Sequence, residues 1–459
     1  MKAYKAIIIG SGQSGTPLSR KLAAAGWKTA LIERRWLGGT CVNDGCTPTK
    51  AMISSAKMAY QAGRSSDYGI ETAGYTVNMP AVIARKEKIV LHSRTGIEKG
   101  IKETPNLDLY EGSAAFTGEK RLLVTLKDGR TEELGAGYIF INTGTRTSIP
   151  PIKDLDKIPY FTATSLLEYK EIPEHLIIIG GGPIGLEFGQ MYKRFGSRVT
   201  ILEQGDRFLS REDEDIAGAM FGILSEEGID IRIKARADRV GQEERKIALT
   251  ATIDGKEQRI TGSHLLLAAG RTPNTEELNL EATGVETDDK GYISVNKRLE
   301  TNIPGIFAMG DVKGGPAFTH ISYNDYVVLS DDILNNGYSS AGNRMVPYCI
   351  FTDPELGRIG LTEAEARKQG LSVKVARLPM EHVARGIETG ETKGLMKAVV
   401  DADSRKILGA AILGSEGGEI MSVLQMAMLG GVTGDVISKM ILAHPTFAES
   451  LNNLFSQLE

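Results

Sequence analysis

Two of the three cysteines in this 459-residue chain lie five positions apart, in the segment GGTCVNDGCTPTK at residues 38–50. Neighbouring thiols can give up and take back two electrons by forming and breaking a disulfide. Five residues of regular helix advance about 7.5 Å, whereas a disulfide joins Cα atoms about 4.4–6.8 Å apart. A bridge between Cys41 and Cys46 therefore requires a break in the helix, which Gly45 makes easier. So small a loop gains little stability from a bridge, and the spacing favours a redox-active pair.

Two other roles are open for these thiols. They could be reduced side chains that only pack in the interior. They could also be ligands of a zinc ion, although no second Cys/His pair at ligand spacing accompanies them. The third thiol, Cys349 in VPYCIF, lies in an apolar strand and is expected to be a core residue.

An internal repeat supplies the elements that must position the thiols. AIIIGSGQSGTPLSRKLAAAGWKTALIE at 6–33 matches LIIIGGGPIGLEFGQMYKRFGSRVTILE at 176–203, with an offset of 170 residues. Each copy has an apolar strand, the pattern G-x-G-x-x-G, a helix-length segment and a second strand that ends in glutamate. The matched residues are Gly10, Gly12, Gly15, Gly26 and Glu33 in the first copy, and Gly180, Gly182, Gly185, Gly196 and Glu203 in the second.

The order of these features is that of a dinucleotide-binding unit. The glycines allow a tight turn, close approach of the backbone to a pyrophosphate, and packing of the helix on the strand. The helix N-terminus offers N–H groups to the phosphates, and the glutamate can accept the ribose hydroxyls. A single glycine-rich turn also occurs without a ligand, but two complete copies predict two dinucleotide sites.

The rest of the chain has a coarser pattern. Residues 51–102 are predicted to be helical and residues 107–147 to form strands. TSIPPIK at 147–153 is typical of a linker, and buried strands are expected in LLLAAGRTPN at 265–274 and IFAMGDV at 306–312. After about residue 343 strands and helices continue without a nucleotide motif, which indicates a candidate interface domain.

The composition argues against several classes of protein. Hydrophobic residues make up 41% and charged residues 24% of the chain, and the net charge is −4. Such a chain has no bulk basicity for nucleic acid or an anionic membrane. No apolar run reaches membrane-spanning length, and the apolar start is too short for a signal peptide. We therefore expect no nucleic-acid or membrane partner and, because cysteines are few, a reducing cytoplasm.

The cysteine segment and the repeat together resemble the flavin- and pyridine-nucleotide-dependent disulfide oxidoreductases, a family that includes lipoamide dehydrogenase, glutathione reductase and mercuric reductase. The family motif GGTCxNxGCxPxK is matched from Gly38 to Lys50, and the likeness covers nearly the whole chain. The resemblance implies an α/β fold with two Rossmann-like dinucleotide-binding domains, for FAD and for NAD(P), and a C-terminal α+β dimerisation domain. The implied ranges are 1–148 for the FAD-binding domain, 149–272 for the NAD(P)-binding domain, 273–342 for a central domain that returns to the FAD fold, and 343–459 for the dimerisation domain.

The resemblance also implies which residues hold FAD. Those for the pyrophosphate and the adenosine ribose are Gly10, Gly12, Gly15 and Glu33. Further contacts are implied for Thr40, for the backbone of Ala114 with the adenine, for Gly144 in INTGTR, for Asp311 in AMGDV with the ribityl chain, and for Thr319 near the isoalloxazine ring. Lys50 would lie near the flavin N5 and pair with Glu187.

The nicotinamide site is implied in the same way. Its residues are Gly180, Gly182, Gly185, Glu203, Ala237 and Gly270. Glu203 favours NADH, because a carboxylate there would repel a 2′-phosphate, and NADPH stays possible. Arg207 and Arg211 follow closely, but they alternate with acidic residues and are expected to form a solvated face.

HPTFAE at 444–449 resembles the family segment that supplies a His–Glu dyad from the partner subunit of a homodimer. An imidazole with a pKa near 6.5 can take and return a thiol proton at neutral pH, and Glu449 would orient it. The implied catalytic residues are Cys41, Cys46, Lys50, Glu187, His444 and Glu449, and no metal cofactor is implied. Electrons would pass from NAD(P)H through FAD to the Cys41–Cys46 disulfide, with Cys46 facing the flavin and Cys41 attacking the substrate.

The electron acceptor stays open between a small-molecule disulfide, a metal ion and an oxidant. AMGDVKGGPAFTHISYNDY at 308–326 and HPTFAESLNNLF at 444–455 resemble the branch named for reactive-chlorine resistance. A mercuric reductase of the usual kind carries a C-terminal cysteine pair, and no cysteine follows Cys349. Dihydrolipoamide dehydrogenase is the chief alternative, and a mercuric reductase-like metal reductase or a slow redox sensor are further ones.

Asp44 lies between the two cysteines. A carboxylate that faced the thiols would raise their pKa. We expect this side chain to point to solvent.

Overall fold

The computed structural model describes residues 1–244, 246–335, 337 and 339–458. Its strands, numbered along the chain, are β1 Lys2–Ile9, β2 Thr29–Glu33, β3 Leu107–Gly118, β4 Arg121–Leu126, β5 Thr131–Ile141, β6 Thr145–Thr147, β7 Phe161–Thr162, β8 His175–Ile179, β9 Arg198–Leu202, β10 Asp230–Arg232, β11 Ala235–Glu243, β12 Lys246–Ile253, β13 Lys256–Gly262, β14 His264–Leu267, β15 Arg271–Pro273, β16 Ile306–Ala308, β17 Tyr348–Ile350, β18 Glu355–Gly360, β19 Val373–Pro379, β20 Leu395–Asp401 and β21 Ile407–Gly414. Its α-helices are α1 Gly15–Ala24, α2 Gly39–Asn43, α3 Cys46–Gly63, α4 Met79–Lys102, α5 Ala163–Leu166, α6 Pro183–Phe195, α7 Glu214–Glu226, α8 Thr319–Asn335, α9 Glu363–Lys368, α10 Ala384–Glu388, α11 Gly417–Leu429, α12 Gly434–Ile437 and α13 Ser450–Ser456.

The chain divides into two compact units. The first comprises Met1–Met52, Pro80–Ser148 and Gly270–Arg344, and the second comprises Ile53–Met79, Ile149–Ala269 and Met345–Glu459. The first unit therefore draws on the ranges predicted for the FAD-binding and central domains. The second draws on the ranges predicted for the NAD(P)-binding and dimerisation domains, together with residues 53–79. The division into four domains stays a prediction.

The first unit is built on a parallel sheet. Strands β3, β2, β1, β5 and β16 lie side by side in that order, and all four neighbouring pairs are parallel. The outer part of β3 and the first half of β5 extend beyond this sheet and pair with β4 in an antiparallel ribbon. Ile7 and Ile8 of β1 are both fully buried, as expected for a parallel strand that is covered on both faces.

The second unit contains three sheets. One is parallel, with the strand order β10-β9-β8-β14-β7. The others are antiparallel, with the orders β11-β12-β13 and β17-β18-β21-β20-β19. Helix α6 connects β8 to β9 as α1 connects β1 to β2.

The internal repeat extends to the pairing of the strands. In the first copy Ile8 of β1 lies opposite Leu31 of β2. In the second copy Ile178 of β8 lies opposite Ile201 of β9, at the same offset of 170 residues. The two strand pairs therefore have the same register. In each copy the glycine-rich turn follows the carboxyl end of the first strand.

One predicted helical range is interrupted. Residues 51–102 were expected to be helical, but α3 ends at Gly63 and α4 begins at Met79, with only a short 3₁₀ turn at Ser65–Tyr68 between them. Gly69 and Gly74 have positive φ angles in this segment, which a continuous helix does not allow. None of the helices in the described part of the chain has the length and apolar character needed to cross a membrane.

Candidate functional site

The glutamate that closes each copy of the repeat holds its own glycine-rich turn. Glu33 and Glu203 each accept hydrogen bonds from two backbone N–H groups. The donors are Ser11 and Arg35 for Glu33, at 2.9 and 2.8 Å, and Gly181 and Gly205 for Glu203, at 2.8 and 2.7 Å. The bonded positions are the same in both copies, so each carboxylate is fixed beside a turn that can bind a pyrophosphate.

The first glycine of each turn has a conformation and a neighbour that exclude a side chain. Gly10 and Gly180 have φ angles of +101° and +111°, which glycine adopts at little cost. A Cβ on Gly10 would overlap the carbonyl oxygen of Asn142, and one on Gly180 would overlap that of Ala268. Only glycine therefore fits at the first position of each turn.

The middle glycines have different surroundings in the two copies. A Cβ on Gly12 would lie 2.8 Å from Oδ1 of Asn142, whereas a Cβ on Gly182 would meet no protein atom within 4 Å. The third glycines are equivalent, because a Cβ on Gly15 or Gly185 would overlap a carbonyl oxygen of its own turn. The space beside Gly182 fits the predicted pyrophosphate site.

Asn142 joins three segments of the first site and is absent from the predicted site residues. It is buried and directly follows β5. Its Oδ1 accepts the N–H of Gly15 at 3.0 Å, and its Nδ2 donates to the carbonyl oxygen of Met309 at 2.9 Å. A polar side chain directly after a buried apolar strand is the sequence signal that could have identified it.

The next residue has a buried hydroxyl that suits a ligand. Oγ1 of Thr143 is buried and has no hydrogen-bond partner among the described residues. Burying a hydroxyl without a partner costs on the order of 1–3 kcal/mol, which a polar ligand atom at this turn would offset. This hydroxyl, the close-approach glycines and Glu33 fit a bound dinucleotide.

Asp325 supports the same site from α8 and is also absent from the predicted residues. It is fully buried and accepts the N–H of Gly310 at 2.7 Å. Its charge is balanced by Arg344, at 2.7 Å, and by Lys313, at 3.4 Å. This buried ion group fixes the backbone directly before Asp311, a predicted ligand of the ribityl chain.

The other residues predicted for the first site all lie in the first unit. Ala114 is buried on β3, Gly144 has a φ of +67° in the turn after β5, and Thr40 is exposed on α2. Asp311 accepts a hydrogen bond of 3.1 Å from the hydroxyl of Thr145. Their contacts with a dinucleotide stay predictions.

A break between two helices brings the two predicted redox thiols together. Helix α2 ends at Asn43 and α3 begins at Cys46, so the departure from a regular helix lies at Asp44 and Gly45. Both cysteines are in the thiol form in this structure. Their mutual hydrogen bond, burial and the charge of Cys46 hold the pKa of Cys41 well above its usual range.

Thr319 and Lys50 lower the pKa of Cys41. Oγ1 of Thr319, the first residue of α8, lies 3.2 Å from Sγ of Cys46. A hydrogen bond from Thr319 and the positive charge of Lys50 each lower the pKa of Cys41, but they do not outweigh the contact with Cys46 and the burial. Cys41 therefore holds its proton at neutral pH and needs a base to become a nucleophile.

Two expectations about polar and sulfur side chains are wrong. Asp44 does not point to solvent, because its Oδ2 accepts a hydrogen bond of 3.1 Å from Arg35 and only 12% of its side chain is exposed. The guanidinium balances the carboxylate between the two cysteines. Cys349, expected in the core, is only partly buried on β17.

The second unit carries the predicted His–Glu dyad. Nδ1 of His444 lies 2.9 Å from both carboxylate oxygens of Glu449, and 66% of the His444 side chain is exposed. Glu187 is buried on α6 and accepts the N–H of Phe351 at 3.0 Å. Because Lys50 belongs to the other unit, its predicted pairing with Glu187 stays a prediction.

The remaining residues predicted for the nicotinamide site fall in two places. Ala237 lies on β11 beside a bulge. Gly270, with a φ of +111°, lies at the start of the last segment of the first unit and accepts the N–H of Ser148 at 3.0 Å. Arg207 and Arg211 are exposed. The contacts of this set with a nucleotide stay predictions.

Comparisons with known proteins agree with this geometry. Residues 4–325 match the family model described as pyridine nucleotide-disulphide oxidoreductase, and residues 346–455 match the dimerisation domain of that family. The chain belongs to the pyridine nucleotide-disulphide oxidoreductase family.

Several relatives resemble this oxidoreductase over nearly its whole length. The probable pyridine nucleotide-disulfide oxidoreductase RclA of Escherichia coli is 38% identical over 99% of both chains. A mercuric reductase of Lysinibacillus sphaericus is 33% identical over 98% of this chain and 81% of its own, and a dihydrolipoyl dehydrogenase of Thermus scotoductus is 33% identical over 98% and 96%. The solved Cu(II) complex of the HOCl-induced flavoprotein disulfide reductase RclA from E. coli has a TM-score of 0.92 at 37% identity and covers both chains completely.

The family membership confirms the predicted fold class, enzyme class and cofactors. The oxidoreductase has two Rossmann-like domains and a C-terminal dimerisation domain, and it is an FAD-dependent NAD(P)H:disulfide oxidoreductase. The roles of individual site residues stay predictions.

Proposed function

We propose that the oxidoreductase passes electrons from NADH to a small-molecule oxidant or disulfide through the Cys41–Cys46 pair. The observation that carries the proposal is the contact of the two thiols at the break between α2 and α3. They lie in the unit that also holds the first glycine-rich turn. When bound, FAD supplies two-electron transfer between a nicotinamide nucleotide and this pair.

The first unit would hold FAD through groups that are already in place. The glycine-rich turn from Gly10 to Gly15 would let the backbone approach the pyrophosphate closely, and the carboxylate of Glu33 would accept the ribose hydroxyls. The buried hydroxyl of Thr143 would donate to a polar atom of the ligand. In the second unit, the turn from Gly180 to Gly185 and Glu203 would hold the nicotinamide nucleotide in the same way, and the carboxylate supports a preference for NADH.

Proton transfer at Cys41 would require a base. The raised pKa keeps this thiol protonated at neutral pH. The carboxylate of Glu449 would keep the Nδ1 proton of His444 in place, so that Nε2 of the neutral ring accepts the proton of the thiol. We propose that this dyad comes from the partner subunit of a homodimer, which the matched dimerisation domain supports.

The nature of the acceptor is proposed from the relatives and from the cysteines. The related flavoprotein of E. coli is described as HOCl-induced and was solved with Cu(II), which makes oxidants and Cu(II) the first acceptors to test. This sequence has only three cysteines, so beyond Cys41 and Cys46 it offers a soft metal ion no second pair. We therefore place oxidants and small disulfides ahead of metal ions. The same scarcity of cysteines supports a reducing cytoplasm as its location.

Dihydrolipoyl dehydrogenase activity is the second candidate. The His444–Glu449 pair supports it, and so does the 33% sequence identity to a dihydrolipoyl dehydrogenase. A third candidate is a redox sensor that turns over slowly and acts through a partner protein.

A panel of acceptors separates these functions. Turnover would be measured with NADH and NADPH against N-chlorotaurine, oxidised glutathione, lipoamide, Cu(II), Hg(II) and a quinone, for the wild type and for Cys41→Ser. We expect the highest kcat/KM for the chloramine or oxidised glutathione with NADH, and loss of that activity in Cys41→Ser but not in Cys349→Ser. Rapid turnover on lipoamide alone would establish the second candidate, a metal ion as the fastest acceptor would establish a metal reductase, and slow reduction of oxygen alone would establish the sensor.

A further inference from the structure

We propose that Arg94 is a positioning residue for the redox cysteines and that it acts through Asn43. This inference rests on the proposed redox role of Cys41 and Cys46. It concerns α2, the five-residue helix that carries Cys41, and the loop at residues 36–39 that leads into it. So short a helix cannot hold its own conformation in water, so the place of Cys41 depends on side chains that tie it down.

Asn43 ties the last residue of this helix to the loop before it. Its Nδ2 lies 2.9 Å from the carbonyl oxygen of Leu37, 2.9 Å from that of Gly39 and 3.3 Å from that of Trp36. The amide thus links the C-terminal residue of α2 to carbonyl oxygens at and before its N-terminal end, and Cys41 lies between them. It can do so only while its nitrogen, and not its oxygen, faces these carbonyls.

Arg94 of α4 sets that orientation. Its Nε donates a hydrogen bond of 2.9 Å to Oδ1 of Asn43. A guanidinium donates and never accepts, so it requires the amide oxygen on its own side and directs the amide nitrogen to the loop. The guanidinium carbon also lies 4.4 Å from the ring centre of Trp36, whose side chain is half exposed. Arg94 therefore contacts both the amide and the loop that the amide bonds to.

The consequence concerns the distance between the two sulfurs. Cys46 begins the long helix α3, whereas Cys41 lies on α2, so the two thiols meet only while α2 keeps its place. Closing a disulfide is an intramolecular reaction, and its equilibrium constant rises with the effective concentration of one thiol at the other. Loss of the Arg94 hydrogen bond would loosen α2 and lower that concentration. The disulfide would then become easier to reduce.

The test is the equilibrium of the FAD-loaded enzyme with glutathione. Cys41 and Cys46 lose two electrons and two protons in forming their sulfur–sulfur bond, while one molecule of glutathione disulfide takes them up and becomes two thiols. A hydrogen bond from a charged donor contributes more than a neutral one, so Arg94→Met should lower the equilibrium constant for disulfide formation by about 10-fold or more. Alkylation of the free thiols followed by mass spectrometry would measure it.

Three further variants distinguish a specific effect of Arg94 on the position of Cys41 from a non-specific effect on the fold. Lys99→Met removes a positive charge from the same helix, where the lysine is exposed and lies 3.8 Å from Glu103, and it should leave the constant unchanged. Arg94→Lys, which keeps one donor, should fall between Arg94→Met and the wild type. Because Arg94 acts through the amide, Arg94→Met should have no further effect in an Asn43→Ala enzyme.

The outcomes distinguish this inference from the proposed function. If the wild type forms no bridge between Cys41 and Cys46, the proposed function fails. If it forms the bridge and Arg94→Met has the same equilibrium constant, or if the two substitutions are additive, the positioning role is refuted. If Arg94→Met loses FAD or does not fold, Arg94→Lys decides in its place.

Discussion

At the scale of single residues, the chemistry depends on a proton that Cys41 does not readily release. The hydrogen bond with Cys46, burial and the charge of Cys46 keep its pKa raised, while Thr319 and Lys50 act against them without prevailing. The thiol form is therefore the stable one at neutral pH, because a raised thiol pKa shifts deprotonation to more alkaline solutions. We therefore expect turnover to depend on a base that accepts this proton.

Replacement of His444 tests that dependence. His444→Gln should lower steady-state turnover at pH 7 by about 10²- to 10⁴-fold, the usual contribution of a general base. The loss should shrink as the pH rises, because hydroxide then takes the Cys41 proton more often in place of the imidazole. The rate at which NADH bleaches the flavin absorbance should be unchanged, because that step does not use the dyad. Stopped-flow absorbance and steady-state rates between pH 6 and 10 would measure both.

The matched control is His382→Gln, since His382 is an exposed histidine of the same unit. It should retain full turnover. A His444→Gln enzyme that turns over like the wild type at pH 7 would show that another group takes the proton of Cys41.

At the scale of elements, the two glycine-rich turns share their backbone geometry but not their surroundings. A methyl group on Gly12 would press on Asn142, whereas one on Gly182 would enter space that no protein atom occupies. Gly182 has a φ of −79°, which alanine adopts without strain. The two turns therefore separate an effect on folding from an effect on ligand binding.

Gly182→Ala should weaken binding of the nicotinamide nucleotide without weakening the fold. The added methyl group would occupy the space proposed for the pyrophosphate, and we expect the KM for NADH to rise about 10-fold, equivalent to about 1.4 kcal/mol. The Tm and the FAD content should stay at the wild-type values. Gly222→Ala, which also meets no neighbouring atom and lies in α7, is the control and should leave the KM unchanged. An unchanged KM in Gly182→Ala would place the nucleotide elsewhere.

The repeat could be predicted because its signals are local. Glycine spacing, apolar strands and a terminal glutamate all lie within 28 residues of chain, and they carry the backbone conformation with them. The roles of Asn142 and Arg94 could not be predicted in this way, since Asn142 bonds to residues 127 and 167 positions away and Arg94 to one 51 positions away. Asp44 was placed wrongly for a different reason: its partner Arg35 is only nine positions earlier, but a loop has no regular period that shows which side chains meet.

At the scale of the whole molecule, stability depends on a buried ion group in the second unit. Arg194 contacts Asp353 at 2.6 Å and Glu227 at 2.8 Å, and all three side chains are at most 10% exposed. Burial by itself would raise the pKa of Asp353, but the charges of Arg194 and Lys57 and their hydrogen bonds hold it below its usual value. A lowered pKa stabilises the fold above the unfolded value of about 3.9, and that contribution is lost as the pH falls through the folded value.

Arg194→Met should therefore destabilise the enzyme most at neutral pH. It leaves two buried carboxylates, Asp353 beside Lys57 and Glu227 beside the neutral amide of Gln190, and breaking such a group costs about 3–5 kcal/mol. At pH 5 the Tm difference from the wild type should be smaller, because an unpaired buried carboxylate takes up a proton more readily. Calorimetry at both pH values would measure the difference. Arg385→Met, which removes an exposed pair with Glu388, should cost less than about 1 kcal/mol, and an equal effect of the two substitutions would contradict this account.

Exposed apolar side chains of the second unit are candidates for the interface of the proposed homodimer. The exposed apolar side chains on and after α11 are Val423, Met426, Leu429, Val436, Met440 and Ile441. Exposed apolar clusters of this kind mark interfaces, and His444 follows Ile441 by three positions. If the partner subunit supplies His444, dissociation should stop turnover.

The double substitution Met426→Glu and Leu429→Glu should raise the dimer dissociation constant about 100-fold or more, equivalent to about 2.7 kcal/mol. Turnover should then fall with the dimer fraction, while NADH still bleaches the flavin. Sedimentation velocity and activity at matched concentrations would measure both quantities. Ile387→Glu changes an equally exposed apolar residue on α10 and should stay dimeric. Full turnover by a monomeric double variant would show that His444 acts within its own chain.

The paired hydrogen bonds of Glu33 and Glu203 also bear on how tightly the two coenzymes are held. A free glutamate side chain loses up to about 2 kcal/mol of rotamer entropy when it is fixed in one conformation. Here that loss occurs when the chain folds, because each carboxylate is already anchored to two amides of its own turn. At the proposed sites an adenosine would therefore meet a preorganised acceptor and would not have to immobilise one. Binding of either coenzyme would then carry little entropic cost from these two side chains.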